Sequence, residues 1–389
     1  MKTDVAIIGA GPAGLLLGHS LRKAGINAVV LEHRSAERVL SRIRAGILEQ
    51  VSVSLMDELG LGERMHAEGL PHDGFLLADG ERNIRIDLKG LTGQSVMVYG
   101  QTELTKDLMD AAPERGLDII YEAEGVELHD VNSDSPYVTY TKGGKEERLD
   151  ARFIAGCDGF HGPSRKAFPK DFGVEHEKVY PFGWLGILAD VPPCNEELIY
   201  ASHENGFALA SMRSKTRSRY YIQIPLTETL EDWPDDKLWD ELAVRLGPEA
   251  AANITRGPAI EKSIAPLRSF VFDQLRYGSL FLAGDAAHVV PPTGAKGLNL
   301  ASSDVAYLSR ALIQHFKNGD DSGIDSYSET ALARIWKSER FSWSLTMLMH
   351  RFPDAGGFDR RMQVAELDYI AQSKAAQTSI AENYIGLPL

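Results

Sequence analysis

Apolar residues near the start of the chain run without polar alternation: Val5-Ala6-Ile7-Ile8 reads as a strand buried on both faces. Gly9-Ala10-Gly11-Pro12-Ala13-Gly14 follows at once, then Leu15, Leu16, Leu17 and Leu21 at helical spacing, and Gly25 closes that helix. Ala28-Val29-Val30-Leu31 is a second buried strand, ended by Glu32. Further on, the pattern predicts an amphipathic helix over 46–59 stopped at Gly60. Asp79-Gly80 reads as a hairpin turn between Phe75-Leu76-Leu77 and Ile84-Arg85-Ile86. A helix capped by Thr102 follows Tyr99-Gly100-Gln101, and short strands run through 118–141 with Gly143-Gly144 as a turn. Phe153-Ile154-Ala155-Gly156 is a buried strand. From about 180 to 265 strands dominate, at 180–191, 197–203, 206–213 and 217–225, with one helix near 235–246. An apolar strand over 280–282 and helices over 298–317, 325–349 and 360–383 complete the chain, with a break at Pro353 and Gly356-Gly357.

The predicted class is mixed α/β: a Rossmann-like βαβ dinucleotide-binding domain over 1–175, completed by about 266–345. An antiparallel-sheet substrate domain covers 176–265, and C-terminal helices cover 346–389. In the first turn Gly9 allows the tight reversal, Gly11 lets a pyrophosphate approach bare backbone, and Gly14 lets helix and strand pack closely. The helix N-terminus offers unpaired N–H groups to that pyrophosphate, and Glu32 can accept hydrogen bonds from an adenosine ribose.

Composition narrows the partners. The 389 residues carry a formal net charge of −14, which argues against nucleic acid and against anionic membranes. Only two cysteines, Cys157 and Cys194, give no disulfide framework and fit a reducing compartment. The chain passes directly into a core strand, so no signal peptide is expected, and no apolar run is long enough to span a bilayer. The expected location is the cytoplasm.

Against this acidic background, Arg34, Arg38, Arg42 and Arg44 cluster beside the pyrophosphate turn. Two readings stand: a solvated basic loop, or contacts in which Arg42 and Arg44 meet cofactor phosphates while Arg34 and Arg38 meet a second nucleotide. Farther along, Ser211 and Arg213 alternate on one strand and Arg219 and Tyr221 on the next. Pairing 211 with 221 and 213 with 219 around a loop at 214–218 would put all four on one face. That set would hold a small carboxylate; the alternative is an exposed charged strand face. Cys157-Asp158-Gly159 and Gly284-Asp285 each follow a buried strand, and Pro291-Pro292-Thr293-Gly294-Ala295-Lys296-Gly297-Leu298-Asn299 leads into a helix.

Together these motifs resemble the FAD-dependent aromatic hydroxylases over essentially the whole length, most closely the branch acting on 4-hydroxybenzoate. The stretches Arg42 to Gly46, Tyr180 to Gly186 and Pro291 to Asn299 carry the finer likeness. The resemblance implies conversion of 4-hydroxybenzoate to 3,4-dihydroxybenzoate with FAD, NADPH and O2 through a C4a-hydroperoxyflavin. It places Gly9, Gly11, Ala13, Gly14, Glu32, Arg42, Arg44, Gln101, Asp158, Arg219, Asp285, Lys296, Gly297, Leu298 and Asn299 around FAD. It places Ser211, Arg213 and Tyr221 on the substrate carboxylate and Tyr200 on the phenol. Tyr384 becomes the relay partner of Tyr200, His72 the solvent end of the proton path, and Pro292 the residue whose carbonyl faces the ring. Arg34 and Arg38 could pair with a 2′-phosphate, with Arg44 and His161 beside them, which favours NADPH; NADH is the alternative. A homodimer joined through the C-terminal helices comes from the resemblance alone.

Overall fold

Val5–Ile8 is buried throughout and pairs in parallel with Ala28–Leu31 on one side and Phe153–Gly156 on the other. This trio is the centre of a six-stranded sheet ordered Arg276–Tyr277, Leu280–Leu282, Phe153–Gly156, Val5–Ile8, Ala28–Leu31, Asp118–Ile120. Only Arg276–Tyr277 runs antiparallel. The computed structural model describes residues 1–41, 46–80 and 82–389, so the calls on Arg42 and Arg44 lie outside the described residues. Helix Pro12–Lys23 buries Leu15, Leu16, Leu17 and Leu21 against the sheet, and its Pro12 occupies a first-turn position that needs no N–H.

Several boundaries shift for local physical reasons. The helix expected from 46 begins at Gln50, because Ile47–Leu48 pairs as a short strand with Met97 and Val98. Gly60 stops that helix in the left-handed conformation, as expected. The next helix is Gln101–Ala111, and Gly100, not Thr102, holds the cap position. Instead of one C-terminal helix there are two, Gly357–Gln372 and Lys374–Ile385. The Ser373 side chain caps the second by accepting from Ala376 N, so the chain restarts there.

The second large sheet has eight strands, ordered His288–Val289, Glu261–Phe272, Glu175–Ala189, Arg217–Pro225, Gly206–Ser214, Leu198–His203, Gly74–Ala78, Asn83–Asp87. The sheet is antiparallel apart from one pair, and strands from outside 176–265 join it. The hairpin 74–87 joins one edge, and Leu198–His203 pairs with Gly74–Ala78 in parallel. One face packs Ile199, Ala201, Ala208, Tyr220 and Ile222 under Leu238, Trp239 and Leu242 of helix Asp235–Leu246. The opposite face, with Tyr200, Phe207, Leu209 and Trp184, is covered by Phe341 and Leu345 of helix Ser322–Met349 and by Tyr384 of helix Lys374–Ile385. No helix among the described residues is long and apolar enough to cross a membrane.

Beneath that face Trp184 Nε1 donates to His350 Nε2 at 2.8 Å, which leaves His350 Nδ1 to donate to the Thr346 carbonyl at 3.0 Å. Burial pushes the His350 pKa down to about 3. The folded value lies below the unfolded value of ~6.5, so this stability is present above that pH and fades as pH falls toward the folded pKa. Between pH 7 and 5 the imidazole is expected to cost about 2 kcal/mol of stability. Urea unfolding of wild type and His350→Gln at both pH values checks this: the wild type should lose more on acidification by about that amount.

Candidate active site

The first glycine turn has the geometry a dinucleotide needs. Gly9 sits at φ +104°, and a Cβ there would lie 2.4 Å from the Cys157 carbonyl oxygen; one on Gly14 would lie 2.0 Å from Gly9 O. Beside Gly11, in contrast, a Cβ would meet nothing within 4 Å, so the N-terminal end of helix Pro12–Lys23 is open to approach. Glu32 ends its strand buried, accepting from Ala10 N at 2.8 Å and Arg34 N at 2.9 Å, with lone pairs left for a ribose. The second motif meets the first directly. The Cβ position of Gly284 is 3.5 Å from Ala13 Cβ and 3.3 Å from Ala301 Cβ, and the neighbouring Asp285 is exposed among buried residues. The 22-residue helix Gly297–Asn318 presents a second open N-terminus at Gly297, followed by half-buried Leu298. Asp158 Oδ2 accepts from Ser164 N at 2.8 Å, while its Oδ1 is sealed from solvent without a partner, and burial raises its pKa. An open cradle at two helix ends, with acids at two strand ends, fits FAD.

Around this cradle Gln101 opens its helix half-buried, and Arg34 Nε donates to His33 Nε2 at 3.0 Å. Arg38 and His161 are exposed.

On the eight-stranded sheet the hairpin register differs from the expected one by two residues. Ser211 faces Arg219, and Leu209 faces Tyr221. The strands are joined by a two-residue turn, Lys215-Thr216, and a bulge between Met212 and Ser214 takes up Arg213. A shift of two preserves the side-chain face, so the expected grouping survives although the pairing does not. Leu77, Tyr200, Leu209, Tyr221 and Gly186 form one row of direct cross-strand partners. Tyr200 and Tyr221 thus stand two strands apart, roughly 10 Å backbone to backbone.

Arg213 is the unusual group. Its Nη1 donates to the Met212 carbonyl at 3.1 Å, but Nε and Nη2, one edge of the guanidinium, are sealed from solvent with no partner among the described residues. Burial pushes its pKa down, and the Tyr221 phenol beside it favours the charged form. Such an edge matches a carboxylate in bidentate geometry. Ser211 Oγ donates to the Arg219 carbonyl at 2.7 Å. Arg219 is buried, donating to Glu261 at 3.1 Å and Ser263 Oγ at 2.9 Å, with its charge 5.0 Å from the Tyr221 ring centre.

A methyl group on Gly186 would lie 2.8 Å from Arg219 Nη2 and from Tyr221 Cδ1. Gly186→Ala should therefore destabilise the fold by roughly 1–3 kcal/mol, the usual range for overpacking. Urea unfolding of the variant checks it, and unchanged stability would mean that Arg219 and Tyr221 can yield to the methyl group.

Tyr200 and Tyr384, 184 residues apart, share a hydrogen bond of 2.9 Å between their hydroxyls. Phe75 stacks on Tyr384 at 4.2 Å and meets Tyr200 edge-on at 5.5 Å. Burial raises the pKa of both phenols, so each is a neutral O–H at neutral pH. His72 is buried, its pKa is lowered by burial, and its Nδ1 has no partner. Among the described residues no direct hydrogen bond joins it to either tyrosine.

In the loop beyond Asp285, Pro292 is exposed and its carbonyl accepts from Ala295 N at 3.0 Å; Ala295 itself sits at φ +53°. Lys296 Nζ donates to the Glu49 carboxylate and, at 3.0 Å, to the Tyr384 carbonyl. Asn299 Oδ1 accepts from Glu49 N and Ser52 Oγ, both at 2.8 Å, and its Nδ2 donates to Ile47 O at 2.8 Å. Sequence reasoning missed Glu49, the buried counter-ion of Lys296 and Arg334; a lone acid after Ile47-Leu48 was its only signal. It also missed Asp304, whose Oδ2 accepts from Gly284 N at 2.8 Å and His288 Nε2 at 2.6 Å and so fixes the Gly284-Asp285 turn.

The model of the FAD binding domain family matches residues 2–342. The p-hydroxybenzoate hydroxylase of Acinetobacter baylyi is 58% identical over 389 residues, covering 100% of this chain and 96% of that protein. The chain belongs to the FAD-dependent aromatic hydroxylase family. Within this family, an uncharacterized aromatic compound monooxygenase of Bacillus subtilis is 26% identical across 85% of this chain and 65% of its own. The fold matches that of p-nitrophenol 4-monooxygenase from Pseudomonas putida, with a TM-score of 0.85 over 100% of both chains at 17% identity. A flavin-dependent halogenase, matched over 98% of this chain and 72% of its own with a TM-score of 0.78 at 20% identity, shares it too. The enzyme is thus a FAD-dependent monooxygenase.

Proposed function

We propose that this hydroxylase converts 4-hydroxybenzoate, NADPH, a proton and O2 into 3,4-dihydroxybenzoate, NADP+ and water. The observation that carries the reading is the open Nε/Nη2 edge of Arg213, whose strand lies between that of Tyr200 on one side and that of Tyr221 on the other. That arrangement suits an aromatic ring with a carboxylate at one end and a phenol at the other. The high identity to a p-hydroxybenzoate hydroxylase supports the same substrate.

Each residue has a distinct task. Arg213 binds the carboxylate through two charge-assisted hydrogen bonds and so sets the ring position, with Tyr221 beside it. Ser211 must turn its hydroxyl away from the Arg219 carbonyl to add a third donor. Tyr200 hydrogen-bonds the substrate phenol and passes its proton to Tyr384 Oη; the increased electron density falls on the ring carbon ortho to the oxygen. His72 takes the proton onward through an intervening group. Pro292 presents backbone to the ring, and Phe75, Phe207 and Leu209 exclude water. Gly9, Gly11, Ala13, Gly14, Glu32, Asp158, Asp285 and the 296–299 turn would hold FAD, with Gln101 and Arg219 close by. The chemistry supplied there by bound FAD is hydride acceptance from the reduced nicotinamide and activation of dioxygen. Arg34 and Arg38, with His161, would favour NADPH over NADH through its 2′-phosphate. We place the enzyme in the cytoplasm, consistent with two free buried cysteines, and as a homodimer through the C-terminal helices, where Phe358, Met362 and Tyr369 are exposed.

The test is 3,4-dihydroxybenzoate formed per NADPH consumed in air. A ratio close to one supports the reading. NADPH loss yielding only hydrogen peroxide would mean that the compound binds without being the true substrate.

A further inference from the structure

At the far end of strand Arg217–Pro225 from the Arg213 bulge, two arginines form no ion pair among the described residues. Arg351 lies in the segment between helices Ser322–Met349 and Gly357–Gln372, and Arg360 lies in the first turn of the latter. Arg351 Nη2 and Arg360 Nη1 are both sealed from solvent and have no hydrogen-bond partner among the described residues. None of the ion pairs among the described residues uses either side chain, in a protein whose net charge is −14.

Arg351 is also held rigidly. Its backbone N–H donates to Gln223 Oε1 at 3.0 Å, and its carbonyl accepts from Gln223 Nε2. Its Nη1 donates to Gln363 Oε1, and Gln363 Nε2 in turn donates to the Met347 and His350 carbonyls, both at 2.8 Å. Nη2 remains a buried, unused donor among the described residues. Burial, then the charge of Arg360, pushes the Arg351 pKa down to about 10, and Glu204 only partly offsets this. Arg360 stands three residues before Gln363 on the same helix, so it shares the face to which Arg351 is bonded. Two like charges on one face, each with a dry N–H unpaired among the described residues, are costly unless an anion completes them.

We propose that Arg351 and Arg360 form a binding site for a small divalent oxyanion such as hydrogen phosphate, separate from the aromatic-acid site. Two guanidiniums match its charge, and each donates from its free edge. The bound anion would tie the segment after Met349 to the first turn of the next helix.

Calorimetric titration of inorganic phosphate into the FAD-loaded enzyme at low ionic strength tests this. Saturable binding is expected, weakened at least ~10-fold in Arg360→Gln and in Arg351→Gln, as for loss of a charge-assisted hydrogen bond. Arg213→Ala should keep the phosphate affinity, and Arg360→Gln should keep the wild-type affinity for 4-hydroxybenzoate. Acetate, with one charge, should bind more weakly than phosphate. The proposal fails if wild type shows no saturable phosphate binding, or if neither arginine variant changes it. It also fails if phosphate is without effect while Arg360→Gln alters the sedimentation coefficient, since the pair would then meet a carboxylate of a second copy.

Discussion

Arg213→Ala is expected to weaken 4-hydroxybenzoate binding by at least ~30-fold while leaving the stability of the ligand-free protein nearly unchanged. The binding loss follows from removing one partner of a desolvated charge pair, which costs roughly 2–5 kcal/mol. The stability result is the more diagnostic half. Without ligand, Arg213 already keeps two sealed N–H donors unpaired, so the fold carries their desolvation cost in advance. Truncation relieves that cost and opens a cavity, two effects of similar size and opposite sign. Arg213→Lys should recover little affinity, because it restores charge without the planar edge. Ser211→Ala should cost about 1 kcal/mol or less, since its hydroxyl already donates to the Arg219 carbonyl. Substrate titration and urea unfolding of the three variants check the set. A variant Arg213→Ala that binds normally would remove the carboxylate site; one that unfolds would make Arg213 structural.

How much of this was legible follows from how local each signal is. The first glycine turn needs only ten consecutive residues, and each of its steric demands is met within the βαβ unit or by the strand beside it. The hairpin at 206–225 was half legible. Alternation revealed which residues share a face, but the tight Lys215-Thr216 turn and the bulge that takes up Arg213 shift the pairing by two. Contacts between distant segments were not legible from pattern. Gly74–Ala78 joining Leu198–His203 in parallel, Glu49 neutralising Lys296, and Asp304 gripping Gly284 each depend on packing between segments remote in the chain. Tyr200 with Tyr384 was reachable only through resemblance, since two core tyrosines 184 residues apart carry no pattern of their own.

Tyr200→Phe is expected to leave substrate affinity within ~5-fold of wild type and to lower hydroxylation by roughly 10²–10⁴, the range typical of a lost proton-transfer group. The ring would still pack on Phe75 and Phe207, so the cavity keeps its shape. Only the hydroxyl that meets the phenol is lost, and with it the 2.9 Å step to Tyr384. NADPH oxidation should continue, because the carboxylate on Arg213 still positions the ring, and the electrons should appear as hydrogen peroxide. Tyr384→Phe should be milder, since Tyr200 would still touch the phenol while losing its onward path. Measuring product and peroxide per NADPH in both variants separates the roles: full coupling in Tyr200→Phe would end the relay, and collapsed affinity would make Tyr200 a binding group instead. The pH dependence adds an independent constraint. Burial holds both tyrosines above their ordinary range, so neither ionises between pH 6 and 9. Any titration of the hydroxylation rate in that window therefore belongs to the substrate phenol or to the far end of the path, and it should change in His72→Asn while substrate affinity does not.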